Sequence, residues 1–113
     1  MKNNTKLLEK KITNILYKIT ENEGNKILIT AKYIAASHLN KGQLFLFGTG
    51  HNHCLAEEAL HRAGGYANAC PILDKKIDFS YGVKISSKLE RTSNIANEIL
   101  KKFNLQKQDV LII

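Results

Sequence analysis

Leu44-Phe45-Leu46-Phe47-Gly48-Thr49-Gly50-His51-Asn52-His53-Cys54-Leu55-Ala56-Glu57-Glu58-Ala59-Leu60-His61-Arg62-Ala63-Gly64-Gly65 reads as strand, loop and helix. Leu44 to Phe47 form a short, uninterrupted apolar run, which suits a parallel strand buried on both faces. Gly48 and Gly50 let the backbone turn tightly and approach a ligand, and Asn52 is a good N-cap for a helix beginning near His53. Leu55, Ala56, Ala59, Leu60 and Ala63 fall on one face of that helix, Glu57, Glu58 and His61 on another, and Gly64 and Gly65 end it. A helix N-terminus directly after a buried strand offers amide donors and a positive dipole end, a geometry suited to an anion such as phosphate.

The loop excludes two common nucleotide fingerprints. Gly48-Thr49-Gly50 lacks the third glycine and the downstream acidic residue of a dinucleotide site, and it lacks the Gly-Lys-Ser/Thr ending of a P-loop. Two readings stay open at this point: an anion held over the backbone amides of Thr49 to His53, or a turn without a ligand. In the first, the Asn52 side chain and Ser86 or Ser87 add donors, and His51 and His53 reach phosphate or hydroxyl oxygens.

On the N-terminal side, Leu8, Ile12, Ile15, Leu16 and Ile19 recur at helical spacing. Thr20-x-x-Glu23 has the form of a capping box that starts a second helix, through Ile27, Ala31 and Ile34 towards Leu39, closed by Asn40-Lys41-Gly42. Residues 1–41 are therefore expected to form a helical pair. Past the central helix, Tyr66 to Cys70 suggest a weak strand stopped by Pro71, the only proline, followed by an irregular stretch over residues 71–85. Ser87-x-x-Glu90 is a second capping box, predicting a helix with the stripe Thr92, Ile95, Ala96, Ile99, Leu100 and Phe103. Asp109 to Ile113 make the next strand. The alternation predicts an α/β sandwich with a parallel sheet over residues 42–113.

Composition narrows the class further. The 113 residues have an ordinary hydrophobic fraction of 43% and a formal charge of +7. The excess is spread as lysine, without the arginine-rich or aromatic-interleaved stretch of a nucleic-acid reader, so no nucleic-acid partner is expected. Cys54 and Cys70 lack metal-type or disulfide-framework spacing, which fits a reducing cytoplasm. No apolar run approaches the length of a membrane helix, and Met1 to Thr5 lack the apolar block of a signal peptide.

Three local patterns together resemble the sugar isomerase (SIS) domain family, in its branch with a Gly-Thr-Gly-His-Ser-His loop. They are Phe45 to His53; Ala56-Glu57-Glu58 with Arg62-Ala63-Gly64-Gly65 and Pro71-Ile72-Leu73-Asp74; and Ser86-Ser87-Lys88-Leu89-Glu90-Arg91. Asn52 stands where the branch has serine. The resemblance implies a doubly wound fold, a sugar phosphate as ligand, isomerase, lyase or sensor roles, and association of subunits through the N-terminal helices. It implies contacts to ligand from Gly48, Thr49, Gly50, His51, Asn52, His53, Ser86 and Ser87. Moving a proton between adjacent sugar carbons needs a carboxylate, for which Glu57, Glu58 and Glu90 are the candidates. Metal-using members of the family carry a liganding His and Glu where this sequence has Glu58 and Arg62; arginine cannot replace a carboxylate ligand, so neither metal nor other cofactor is expected. Family members also continue through a further strand and a Ser-x-Ser-Gly loop, so this sequence is read as the N-terminal half of such a domain.

Overall fold

The computed structural model describes residues 2–113, Met1 lying outside them. The chain divides into two compact units, one up to Tyr33 and one from Ile34 to Ile113. Helix α1, Lys2–Leu39, supplies the described residues of the first unit, and its last residues belong to the second. The expected helical pair is thus a single unbroken helix. Neither half of the Thr20/Glu23 capping box does its work: the Thr20 hydroxyl donates to the Leu16 carbonyl at 3.1 Å, and Glu23 pairs with Lys26 at 2.6 Å. With no proline to interrupt the ladder, adding one more helical residue is cheaper than ending and restarting the helix.

The end of α1 is well determined. Lys41 takes a left-handed φ of 60°, and the amides of Lys41 and Gly42 donate to the carbonyls of His38 and Ser37 at 3.0 and 2.8 Å. This is the Schellman pattern that satisfies a helix's last carbonyls. Gly42 is required for a different reason: a Cβ there would collide with the Ser37 hydroxyl and lie 2.5 Å from the Gln108 carbonyl oxygen.

The second unit holds three parallel strands, β1 (Leu44–Phe47), β2 (Ala69–Ile72) and β3 (Val110–Ile112), in the order β2-β1-β3. Helix α2, His53–His61, connects β1 to β2, and helices α3 (Val83–Leu89) and α4 (Ile95–Leu100) lie between β2 and β3. Successive β1 side chains enter different cores, as the two-residue period of a strand requires. Leu44 and Leu46 cluster with Ala56 of α2 and Ala69, joined by Ile34, Tyr66 and Val110. Phe45 clusters with Ile72, Ile77 and Ile99, joined by Phe47, Ile95, Leu100, Phe103 and Leu111. The predicted α/β class with a parallel sheet is therefore the fold.

Two local expectations differ from it. Pro71 does not stop β2 but lies within it, paired with Leu46; β2 is the edge of these three strands, where a missing amide donor is tolerated. The helix expected from the Ser87/Glu90 box begins earlier, after Gly82 at φ 85°, and Glu90 closes it instead of opening it. The predicted stripe is broken at Asn94, φ 66°, a residue type that accepts the left-handed region, yet Ile95, Ile99, Leu100 and Phe103 still reach the core as one group.

Ile99 is fully buried, whereas Leu39 is 83% exposed. Ile99→Ala is expected to lower the unfolding free energy by about 2–5 kcal/mol through lost burial and an unfilled cavity, and Leu39→Ala to stay within about 0.5 kcal/mol. Urea unfolding of both variants checks the pair.

Candidate functional site

The order β2-β1-β3 sends the chain from β1 to one neighbour and later returns it to the other side, so a topological switch lies at the carboxyl end of β1. Open α/β sheets bind ligands in the crevice at such a point. The Gly48–His53 loop occupies it. Thr49 is extended, Gly50 to Asn52 form one 3-10 turn, and α2 continues without a gap from His53, where the sequence placed its start.

Asn52 is not a side-chain cap, because the 3-10 turn has already taken over the start of the helix. Several loop amides are also engaged within the protein. Gly50 N–H donates to the Ile77 carbonyl at 3.1 Å, Asn52 N–H to the Thr49 carbonyl at 2.9 Å, and His53 N–H to the carbonyls of Gly50 and His51. Of the five amides from Thr49 to His53, those of Thr49 and His51 are left outside these bonds.

The second half of the site comes from the stretch between β2 and α3, irregular as the sequence predicts but firmly held. Asp74 organises it: Oδ1 accepts from the Lys76 amide at 2.9 Å, Oδ2 pairs with Lys102, and the Asp74 carbonyl accepts from Ile77 N–H at 3.0 Å. Ile77 is buried, and its carbonyl bonds Gly50. Two residues later the Phe79 ring meets His51 edge-on at 4.8 Å and His53 at 6.3 Å. Ile77 and Phe79 escaped the sequence reading; of this alternating pair Ile77 is buried in the core, whereas Phe79 is exposed and lies against the two histidine rings.

Gly50 adopts φ 53°, and a Cβ there would touch Phe79 Cζ at 3.4 Å and lie 3.6 Å from Glu90 Oε1. Glu90 is therefore the catalytic candidate that the fold brings against Gly50. Ser86 lies one helical turn before it, its carbonyl accepting from Glu90 N–H at 2.9 Å. Ser86 is 1% exposed, and its hydroxyl has no partner among the described residues. Such a group is rare in a finished core. Ser87 is half-buried and borders a different hollow, with Lys84, Lys88 and Arg91. Glu58 pairs with Arg62 at 2.7 Å on an exposed face, and Glu57 lies 3.9 Å from the His53 ring.

Two carboxyls in the holding loop are shifted. Burial alone would raise Asp74, but the Lys102 ammonium and the Lys76 amide outweigh it and hold the group below its usual range. Asp78 is lowered by hydrogen bonds from the Ser80 hydroxyl and amide, with a smaller contribution from His53. Cys70 is pushed up by burial and by the charge of Asp109.

Comparison with known proteins adds the family. A family model described as a SIS domain matches residues 9–113. A UPF0309 protein of Halalkalibacterium halodurans is 41% identical over 103 residues, covering 91% of this chain and 41% of that protein. A UPF0309 protein of Listeria innocua is 35% identical over 99 residues, covering 88% of this chain and 40% of its own length. One from Brucella anthropi is 40% identical over 83 residues, 74% of this chain and 34% of that protein. The chain thus spans 41% or less of the length of these relatives.

Since the Asp74 carboxyl is depressed in the folded state, its stabilisation is full above the unfolded aspartate value of about 3.9 and is lost as pH falls through the lower folded value. Asp74→Asn is expected to cost about 1.5–3 kcal/mol at neutral pH, the range for hydrogen bonds to a charged group. It should also flatten the acid limb of the stability profile, which urea unfolding between neutral and acid pH measures.

Proposed function

The chain belongs to the SIS domain family, and from that premise we propose that it binds a sugar phosphate and, in the complete protein, interconverts aldose and ketose forms. The observation that carries the reading is the glycine loop at the carboxyl end of the central strand, approached by Glu90, with the buried, unpartnered Ser86 hydroxyl one helical turn before Glu90. The phosphate takes donors from the Thr49 hydroxyl and the amides of Thr49 and His51, with Asn52 and Ser86 adding polar atoms around it and His53 lining the loop. Gly48 and Gly50 keep the backbone open to the ligand, and Ser87 is assigned the more distant contact.

Glu90 is the group we assign to proton transfer. A carboxylate beside the bound sugar takes a proton from one carbon and returns it to the next through an enediol. Glu57 and Glu58 are second candidates, each already facing a basic neighbour. That same pairing favours the other reading, a sensor that binds sugar phosphate without converting it.

Residues 1–41 form the leading helical segment in this reading and residues 42–113 the first part of the domain proper. Leu8, Ile12, Ile15, Leu16 and Ile19 of α1 are 45–60% exposed, apolar surface that a second subunit would cover. The two cysteines are free thiols, and no helix among the described residues is long and apolar enough to cross a membrane, in keeping with a cytoplasmic protein.

Calorimetric titration of the full-length protein with hexose, hexosamine and heptose phosphates tests the binding. At least one should bind, its unphosphorylated sugar should not, and Gly50→Ala should weaken binding by about tenfold, equivalent to about 1.4 kcal/mol. The absence of binding to every sugar phosphate would overturn the reading; binding with no turnover would leave the sensor. Ile12→Asp with Ile15→Asp should lower the mass found by light scattering, and an unchanged mass would remove α1 from the subunit contact.

A further inference from the structure

The first turn of α2 gathers three side chains of the kinds that bind transition metals. The His53 ring, the Cys54 thiol and the Glu57 carboxylate each offer an atom, and these atoms lie within 4.8 Å of one another. His53 Nδ1 is turned to the Gly50 carbonyl oxygen. A carbonyl only accepts, so Nδ1 carries the proton, and in the neutral ring Nε2 keeps its lone pair. That Nε2 faces Glu57 Oε2 at 3.9 Å. Two acceptors therefore confront each other across a gap too long for a hydrogen bond, with a sulfur ligand beside them.

A divalent ion resolves the confrontation. Zinc sits about 2.0–2.2 Å from nitrogen and oxygen ligands and about 2.3 Å from sulfur, which matches donors spread over this separation after small side-chain rotations. A ring whose far nitrogen donates to a backbone carbonyl is also the arrangement that orients metal-ligating histidines. The Phe79 ring against His53 further restricts its rotation.

We propose that His53 Nε2, Cys54 Sγ and a Glu57 carboxylate oxygen bind one divalent transition-metal ion, zinc foremost, leaving a fourth position open. Thiolate with imidazole selects such an ion over magnesium or calcium. The trio does not depend on Glu58 and Arg62, which are paired with each other, nor on the binding of a sugar phosphate.

The test is titration of chelator-treated full-length protein with Co²⁺, then displacement with Zn²⁺. One equivalent of cobalt should bind, giving the visible bands of a tetrahedral site and a thiolate-to-cobalt charge-transfer band in the near ultraviolet. Cys54 is exposed, so Cys54→Ser should keep the fold, checked by circular dichroism, while losing the charge-transfer band and weakening binding by at least about tenfold. Glu57→Gln should weaken binding comparably and keep the band; His61→Ala and Cys70→Ser should alter neither. Failure to bind cobalt stoichiometrically, or a charge-transfer band that survives Cys54→Ser, would overturn the proposal.

Discussion

Everything in the second unit depends on burying β1 on both faces while bonding it on both edges. Leu44 and Leu46 go into one core, Phe45 enters the other, and β2 and β3 take the backbone on either side. A four-residue strand treated in this way has no freedom of register, because a slip of one residue would exchange its two sets of side chains. Its amino end is fixed too. Gln43 N–H donates to Asp109 Oδ1 at 2.8 Å, the Gly42 carbonyl accepts from Asn68 Nδ2 at 2.6 Å, and Val110 N–H donates to the Gln43 carbonyl at 3.0 Å. The carboxyl end of β1 is therefore a fixed platform from which the glycine loop departs in a set direction.

Beyond that platform the glycine loop is held by a partner distant in sequence. Ile77 plugs the core under Phe45 and through its carbonyl receives Gly50; Asp74 ties the same loop to Lys102 beyond α4. Three segments are thus bound to one another around Gly50, whose left-handed φ of 53° favours glycine and whose open side faces Phe79 and Glu90 at van der Waals distance. The buried hydroxyl of Ser86 costs free energy unless something donates to it or accepts from it. In the proposed function a bound ligand supplies that bond.

Much of this was legible in the sequence, for definite reasons. The run Leu44–Phe47 and the glycines after it combine a periodicity signal with a breaker, and the structure starts α2 at His53 as that pattern requires. The capping boxes misled because they are local patterns judged without their surroundings: Thr20 and Glu23 find partners inside a continuing helix, and Ser87 sits in mid-helix because Gly82 had already begun it. The site was half visible. The glycine loop announces itself, but the contribution of Ile77, Phe79 and Asp74 arises from contacts between segments far apart in the chain, which no spacing rule encodes. The expected amide cradle is also narrower than the sequence suggested, since Gly50, Asn52 and His53 spend their N–H groups on the protein itself.

The measurement that tests the account most directly is an amide-resolved nuclear magnetic resonance titration of the full-length protein with a sugar phosphate. The account predicts that the largest shift changes fall on Thr49 to His53 and on Ser86 to Glu90, with smaller ones at Ile77 to Phe79. Changes confined to other parts of the chain, with the glycine loop unmoved, would contradict it.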